Sequence, residues 1–384
     1  MQLLVPTNWD PDLIPPLSKL EADVQLYGVL PTSMIGAGGS GPDNVRMVAN
    51  EVEEYIGEAH SAGLKFDYLL NAPSMSNMEW DENTHRELLI HLDWITSIGA
   101  DSVTVTIPYL VELIKRQFPQ LQVRVSTIAH VNSVARAKLF ESLGADSITL
   151  DINVNRSFGA LKAIRKTVSC ELTVLLNNLC LYQCPYEYYH HDGLGHASQN
   201  YNPLKGSYVD YCVLRCTLDR LRDVSQVIKC RWVRPEDIRI YEEIGIDMFK
   251  ISGRSMSTEK ILRAATAYSS RHYQGNLYDI LNVITPKAGF VNSALPGGQS
   301  NGVGVPPRFY IDNQALEGFM DFFRKQDCSS GCSQCGYCQR IADRVIQFDR
   351  DEVDEYVTAL NQSLDNLSSS RIFRVKTGAR KRLP

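Results

Sequence analysis

Short apolar runs alternate with longer amphipathic stretches from the first residues onward. The runs at 3–6, 24–30, 65–71, 102–106, 122–127, 147–151, 171–176 and 247–252 are continuous or nearly continuous in apolar character. Strict alternation marks a half-solvated strand, so unbroken runs predict strands buried on both faces, as in a parallel sheet. Between them, residues 43–62, 81–98, 107–118, 131–143 and 160–168 carry a helical period, and 234–245 leads into the last strand. A short motif recurs in step with this rhythm: Ile98-Gly99-Ala100-Asp101-Ser102, Leu143-Gly144-Ala145-Asp146-Ser147 and Ile244-Gly245-Ile246-Asp247-Met248. Glycine suits a helix C-terminus because it accepts a left-handed backbone at little cost. Eight strands joined by helices predict an α/β fold, a TIM-like (β/α)8 barrel whose chemistry lies on the loops after the strands. A doubly wound sheet is the alternative.

The rhythm changes after residue 275. Residues 295–307 are rich in glycine and proline and read as a loop or linker. An amphipathic helix is expected over 312–324, then a cysteine-rich turn, then a helix over 339–348. The expected organisation is a barrel over 1–275 and a small cysteine-rich C-terminal appendage over 276–384.

Hydrophobic residues make up 44% of the 384 positions and charged residues 22%, which suits a globular enzyme. The net charge of −5 argues against a nucleic-acid surface as the main function, and the basic stretch Lys376 to Arg382 reads as a solvated tail. The N-terminus lacks the pattern of a signal peptide and no run approaches the length of a membrane span, so a cytoplasmic protein is expected. In a reducing compartment, clustered cysteines favour metal ligation over disulfides.

There are ten cysteines, and they fall mainly into two groups. Cys328, Cys332, Cys335 and Cys338 follow gaps of three, two and two residues, so one tight turn can aim four thiolates at a single centre. That pattern suits a 4Fe-4S cluster, with zinc as the alternative. The central group is Cys180 and Cys184, then Cys212 and Cys216, with Cys230 further on. The first pair follows the seventh strand. The second pair falls in a helix expected over 211–224, where a spacing of four puts both thiols on one face. Four of these five suffice for a metal or iron–sulfur site, and which four stays open. Cys170 stands alone and reads as a core residue.

The stretch from Tyr186 to His196, with His190 and His191, reads as a polar loop offering general acid–base groups or ligands. Asn71, Ser126, His130, Asn132, Asp151, Asn177, Lys250 and Arg254 lie at strand ends and are expected to line the barrel mouth. Lys250 and Arg254 suit a carboxylate or phosphate, unless salt bridges to Asp151 or Glu242 consume them. The glycine run 36–41 precedes a helix and could cradle an anion, but it lacks the Lys-Ser/Thr of a phosphate loop. Neither a Ser-His-Asp signature nor a His-Glu-x-x-His motif is present.

Asn178-x-Cys180-x3-Cys184-Pro185, then Arg234-Pro235-Glu236-Asp237-Ile238, Gly245-Ile246-Asp247 and Phe249-Lys250-Ile251-x-Gly253-Arg254, resemble the peptidase U32 family. Ser126-Thr127-Ile128-Ala129 with Val131-Asn132-Ser133 fits the same pattern, and the likeness covers roughly residues 1–275. It implies a TIM-like barrel and, in many members, a 4Fe-4S cluster on four cysteines. Although the family is named for a collagenase-like protease, several members are oxygen-independent hydroxylases of ubiquinone precursors, tRNA uridines or ribosomal RNA cytidine, with prephenate as implied oxygen donor in some. Carried over by position, Cys180 and Cys184 are ligands, two of Cys212, Cys216 and Cys230 complete the set, and Lys250 and Arg254 hold a carboxylate. The cysteine spacing and the four-cysteine tail depart from the hydroxylase members.

The resulting expectation is an iron–sulfur oxidoreductase that hydroxylates an anionic small-molecule or peptidic substrate. Cys180, Cys184, Cys212 and Cys216 hold its cluster, and His191, Lys250 and Arg254 are catalytic. A second cluster, or zinc, sits on Cys328, Cys332, Cys335 and Cys338, and an electron donor or paired subunit is a possible partner. The alternatives are a metal-dependent peptidase and a non-catalytic electron-transfer subunit.

Overall fold

The computed structural model describes residues 1–39, 47–202, 211–286, 305–326, 328 and 335–369. Its eight parallel strands are β1 (Gln2–Pro6), β2 (Asp23–Gly28), β3 (Lys65–Leu70), β4 (Ser102–Val105), β5 (Gln122–Val125), β6 (Ser147–Thr149), β7 (Glu171–Leu175) and β8 (Met248–Lys250). Each pairs with the next, and β1 pairs with β8 to close the barrel. All eight expected strands are present in order, because continuous apolar runs are stable only where helices cover the sheet's outer face. Among the described residues no helix is long and apolar enough to cross a membrane.

The recurring Gly-x-Asp motif has a physical basis. Gly99, Gly144 and Gly245 all take positive φ, between 81° and 100°, and stop their helices. Two of the aspartates then reach the preceding strand: the Asp101 carboxylate accepts Phe66 N–H at 2.7 Å, and Asp146 accepts Val123 N–H at 2.7 Å. Each copy thus ends a helix, and the first two also anchor the entry of a barrel strand.

Inside the barrel lies a polar layer. Asp67 on β3 is fully buried and accepts hydrogen bonds from Ser102 Oγ at 2.7 Å and Thr104 Oγ1 at 2.6 Å. Arg124 on β5 donates to Ser147 Oγ at 2.8 Å, to Thr173 Oγ1 at 3.1 Å and to Gln25 Oε1 at 3.1 Å. Its Nε lies 4.0 Å from Asp67. Hydroxyls from alternate strands therefore solvate one buried ion pair, as burial of charge requires.

Three expectations are corrected. The Tyr186–His196 stretch is not a loop: Glu187–Ala197 is a helix laid over the barrel mouth. The single helix over 312–324 is instead a 3₁₀ turn, Gln314–Leu316, and a short helix, Asp321–Lys325. Gly318, at φ 72°, breaks the helical path between them. The helix expected to end at 348 ends at Val345, and β10 (Ile346–Phe348) pairs antiparallel with β9 (Phe309–Ile311). The helix expected over 43–62 is observed as Ala49–Ser61, its expected first residues lying outside the described ones.

The C-terminal part packs onto the barrel. Arg350–Ser368 lies along Tyr211–Arg222, with Arg222 donating to Asn361 at 2.8 Å. Buried Arg156 stacks over Trp232 and Phe319, 4.5 and 4.7 Å from the ring centroids. Asn282 N–H donates to Asn177 O at 2.7 Å, which ties the chain after the barrel to the end of β7.

Candidate functional site

A cavity of about 320 Å³ opens at the C-terminal ends of the strands. β2 contributes Tyr27, β6 Thr149 and β8 Lys250, the loops contribute Gly38, Gly39, Asn71, Ser126 and Arg254, and the helix Glu187–Ala197 contributes His191. Asn282, Val283, Ile284 and Thr285, from beyond the barrel, form its last wall. Thr149 Oγ1 is buried in this lining and no described residue hydrogen-bonds it. A buried hydroxyl left so is costly unless a ligand or water meets it.

Lys250 closes the register of the barrel, standing between Leu4 of β1 and Leu175 of β7. Its Nζ sits 3.9 Å from the Tyr27 ring centroid, and Tyr27 Oη is held by donating to Ile251 O at 2.7 Å. Burial pushes the Lys250 ammonium down to about 7; Asp67 below it counters that, while Arg124 and Arg254 add to it. Neither expected salt bridge forms. Glu242 is engaged by Arg271 at 2.6 Å, and Asp151 faces His130. Arg254 donates instead to Gly39 O at 2.7 Å.

The glycine loop presents carbonyls to the cavity rather than an anion cradle. Gly38 O accepts from His191 Nδ1 at 2.7 Å. A carbonyl can only accept, so Nδ1 carries the proton and Nε2 keeps its lone pair. Burial lowers the pKa of His191, which favours this neutral form. The close approach needs glycine: a Cβ on Gly38 would lie 2.5 Å from Ile128 Cδ1 and 3.0 Å from Asn71 O.

Sulfate, whose charge is constant near neutrality, is expected to bind this cavity roughly tenfold more weakly at about pH 8 than at about pH 6, because the protonated fraction of a group with pKa near 7 falls by about that factor. Calorimetric titration across this range checks it. An unchanged affinity in the native protein would remove Lys250 from anion binding, and a Lys250→Gln variant is expected to show no slope.

The thiols gather beside this cavity. Cys180, on the loop after β7, lines it, and its Sγ donates to Asn178 Oδ1 at 3.4 Å. Burial raises the Cys180 thiol well above its usual range, and the charges at Glu187, Cys216, Cys184 and Cys230 raise it further. Cys184 is pushed up to about 12 by burial, against the Tyr186 backbone N–H, with Cys216, Glu187 and Cys212 adding to the rise. Cys230, fully buried, is also pushed up to about 12 by burial; Arg220 and Arg156 oppose, and Cys216 and Cys184 reinforce.

Cys180, Cys184, Cys216 and Cys230 act on one another electrostatically, and Cys212, on the same helix as Cys216, acts on Cys184. Among the described residues no three thiols bring their sulfurs within 4.8 Å of one another. Cys170 lies elsewhere, packed against the core.

Arg220 completes the thiol group, and sequence reasoning missed it. It is buried, donates to Leu179 O at 2.6 Å and Ile284 O at 2.9 Å, and is surrounded by Cys216, Cys230 and Cys180. The signal was the four-residue step Cys212-Cys216-Arg220 along one helix face.

A second unforeseen group lies close by. His130 Nδ1 is 3.5 Å from Asp151 and 3.9 Å from Glu187, and the three donors lie within 4.8 Å of one another. His130 and Asp151 were expected only as mouth-lining residues, and Glu187 was hidden by reading its helix as a loop. Of the other strand-end residues, Asn71 and Ser126 line the cavity and Asn177 braces it, donating to Ser252 O and Ile280 O at 3.1 Å each.

In the tail, Cys328 Sγ lies 4.0 Å from Arg231 Nη1, Cys335 is exposed, and half-buried Cys338 is close enough to act on Arg156. Cys332 lies outside the described residues. The Arg231 guanidinium also stacks 3.6 Å over Tyr182, between Cys180 and Cys184 in the chain.

The model of peptidase family U32 matches residues 42–274. A Methanocaldococcus jannaschii protein named uncharacterized protease MJ1657 is 31% identical over 301 residues, 77% of this chain and 82% of its own length. The solved U32 peptidase Mk0906 is 24% identical, with a TM-score of 0.49, over 66% of this chain and 93% of that one. FabK from Thermotoga maritima is 12% identical, with a TM-score of 0.31, over 66% of this chain and 58% of that one. With the family model spanning most of the barrel and a relative sharing nearly a third of its residues, the chain belongs to peptidase family U32.

Proposed function

We propose that this chain is an iron–sulfur oxidoreductase that performs an oxygen-independent hydroxylation of an anionic small-molecule or peptidic substrate. The supporting observation is the meeting of two features at one place. Thiols at 180, 216 and 230 stand around Arg220, Cys184 acts on Cys180, and Cys180 also lines the cavity that holds Lys250. The donor set fits a 4Fe-4S cluster. It is all thiol, and the sulfurs stand further apart than a single tetrahedral ion needs, as befits ligands on different irons. Thiols with pKa values raised by burial become thiolates only when cations compensate them, and Arg220 supplies part of that charge.

When bound, the cluster supplies electron transfer. The chain's own residues do the rest. Lys250 and Arg254 hold the substrate's anionic group, with Thr149 Oγ1 free to orient it. Neutral His191, fixed by Gly38 O, offers Nε2 to accept a proton. The helix Glu187–Ala197 and the segment through Thr285 roof the cavity and limit water. The transferred hydroxyl comes from an organic donor, which takes up the two electrons that the substrate loses, so a partner protein serves only to set the redox state of the cluster, and the C-terminal cysteines hold a second cluster or zinc.

Iron, acid-labile sulfide and the visible spectrum of protein purified without oxygen test this reading. About four iron and four sulfide per chain are expected from the central thiols, and about eight of each if the tail also carries a cluster. Zinc without sulfide would overturn it and bring a metal-dependent peptidase forward.

A further inference from the structure

Asp151 and Glu187 place two carboxylates in the protein interior within reach of one another, with the His130 ring between them. Asp151 is 3% exposed, and the side chains of His130 and Glu187 are 7% and 13% exposed. Among the described residues no lysine or arginine pairs with either carboxylate. Arg136, the basic side chain nearest in sequence to His130, donates instead to the His130 backbone oxygen at 2.6 Å. Two buried acids that share a single imidazole form a charge deficit that proteins correct with a proton or a cation.

The His130 ring pairs with Asp151 at 3.5 Å but stops short of a hydrogen bond to Glu187 at 3.9 Å, so the second carboxylate has no basic partner of its own. Donors bonded to one ion at about 2.1 Å lie roughly 3–3.5 Å apart, and the two separations from His130, 3.5 and 3.9 Å, come within a few tenths of an ångström of that. Outer contacts already aim the ligands. Asp151 accepts from Asn153 N at 2.8 Å, from Asn153 Nδ2 at 2.9 Å and from Asn132 Nδ2 at 3.3 Å. Asn153 Oδ1 in turn accepts Gln183 N–H at 2.7 Å, on the loop between Cys180 and Cys184. Such outer-shell bonds to ligating carboxylates are the usual support of a metal site.

We infer that His130, Asp151 and Glu187 form a mononuclear site for a divalent cation of the manganese–iron(II) type, separate from the thiol centre. One imidazole and two carboxylates, with water on the open positions, make an oxygen-dominated set that suits these ions, whereas the neighbouring thiolates select softer ones. An ion there would cancel the charge of Glu187, which acts on Cys180 and Cys184. The site thus lies electrostatically in line with the redox centre while remaining chemically distinct from it.

Manganous chloride titrated into the full-length protein as purified tests this, because the paramagnetic signal of aqueous Mn2+ disappears on binding. Uptake of about one equivalent is expected, weakened at least tenfold by Asp151→Asn and by Glu187→Gln, and unchanged by Cys180→Ala. Glu187 lies on a helix over the mouth, outside the barrel wall, so its variant keeps the test valid if Asp151→Asn fails to fold. A native protein that leaves the aqueous signal intact overturns the inference. So does a Glu187→Gln protein that binds Mn2+ like the native one.

Discussion

Cys230→Ala is expected to strip the central iron and sulfide from the protein, while Cys212→Ala leaves them in place. Sequence spacing favours the opposite choice, since Cys212 and Cys216 share a helix face and Cys230 stands alone beyond the helix. Geometry favours Cys230. It is fully buried, sits in the field of Cys216 and Cys184, and faces the Arg220 and Arg156 guanidinium groups. Those cations stabilise a thiolate in a place where burial alone forbids one. Cys212 is buried on the helix face and acts on Cys184. Iron and labile sulfide measured on the two variants, purified together without oxygen, decide between them. A Cys212→Ala protein lacking iron beside an iron-replete Cys230→Ala protein would restore the set read from spacing.

Asp67→Asn is expected to destabilise the barrel by about 3–5 kcal/mol, because it leaves Arg124 as a buried charge without its counter-ion. The substitution also inverts hydrogen-bond polarity: Ser102 and Thr104 donate to the carboxylate, and one would face an amide that donates back. Denaturant unfolding measures the loss, and a change under about 1 kcal/mol would show that the ion pair contributes little. Adding Arg124→Met should recover part of it, since an apolar replacement of both partners removes the stranded charge. The same variant tests how the interior layer reaches the cavity. Asp67 raises the pKa of Lys250, so without it the loss of anion binding should begin at lower pH than in the native protein.

The barrel was legible because its cause is local. Eight buried runs and a repeated glycine-aspartate stop leave few other topologies, and the structure shows two of those aspartates holding strand entries. Lys250, Arg254, His191 and Cys180 were legible for the same reason, since strand ends and the loops after them form the cavity wall. What failed depended on contacts across the chain. Glu187–Ala197 contains Gly193, Gly195 and adjacent histidines, a poor helix former on its own, and it is helical because it lies on the barrel mouth. Gly195 packs there closely against Ala72 and Pro73, where an added Cβ would lie 3.1 Å from each. The His130 group joins residues after β5, β6 and β7, and no sequence window spans them. Arg220 was visible in the helix spacing, but only its burial marks it as part of the thiol group rather than a surface charge.

The wall formed by Asn282 to Thr285 also has a consequence for how the protein is made. A nascent chain that has emerged only to residue 275 already holds every barrel strand and all five central cysteines. It lacks the Ile284 carbonyl that fixes Arg220, the last side of the cavity, and the helix Arg350–Ser368 that lies along the cysteine-bearing helix. Synthesis therefore passes through an interval in which the thiols are assembled but not yet enclosed. A cluster of the kind proposed would have its easiest access then, before arrival of the C-terminal segment closes the site.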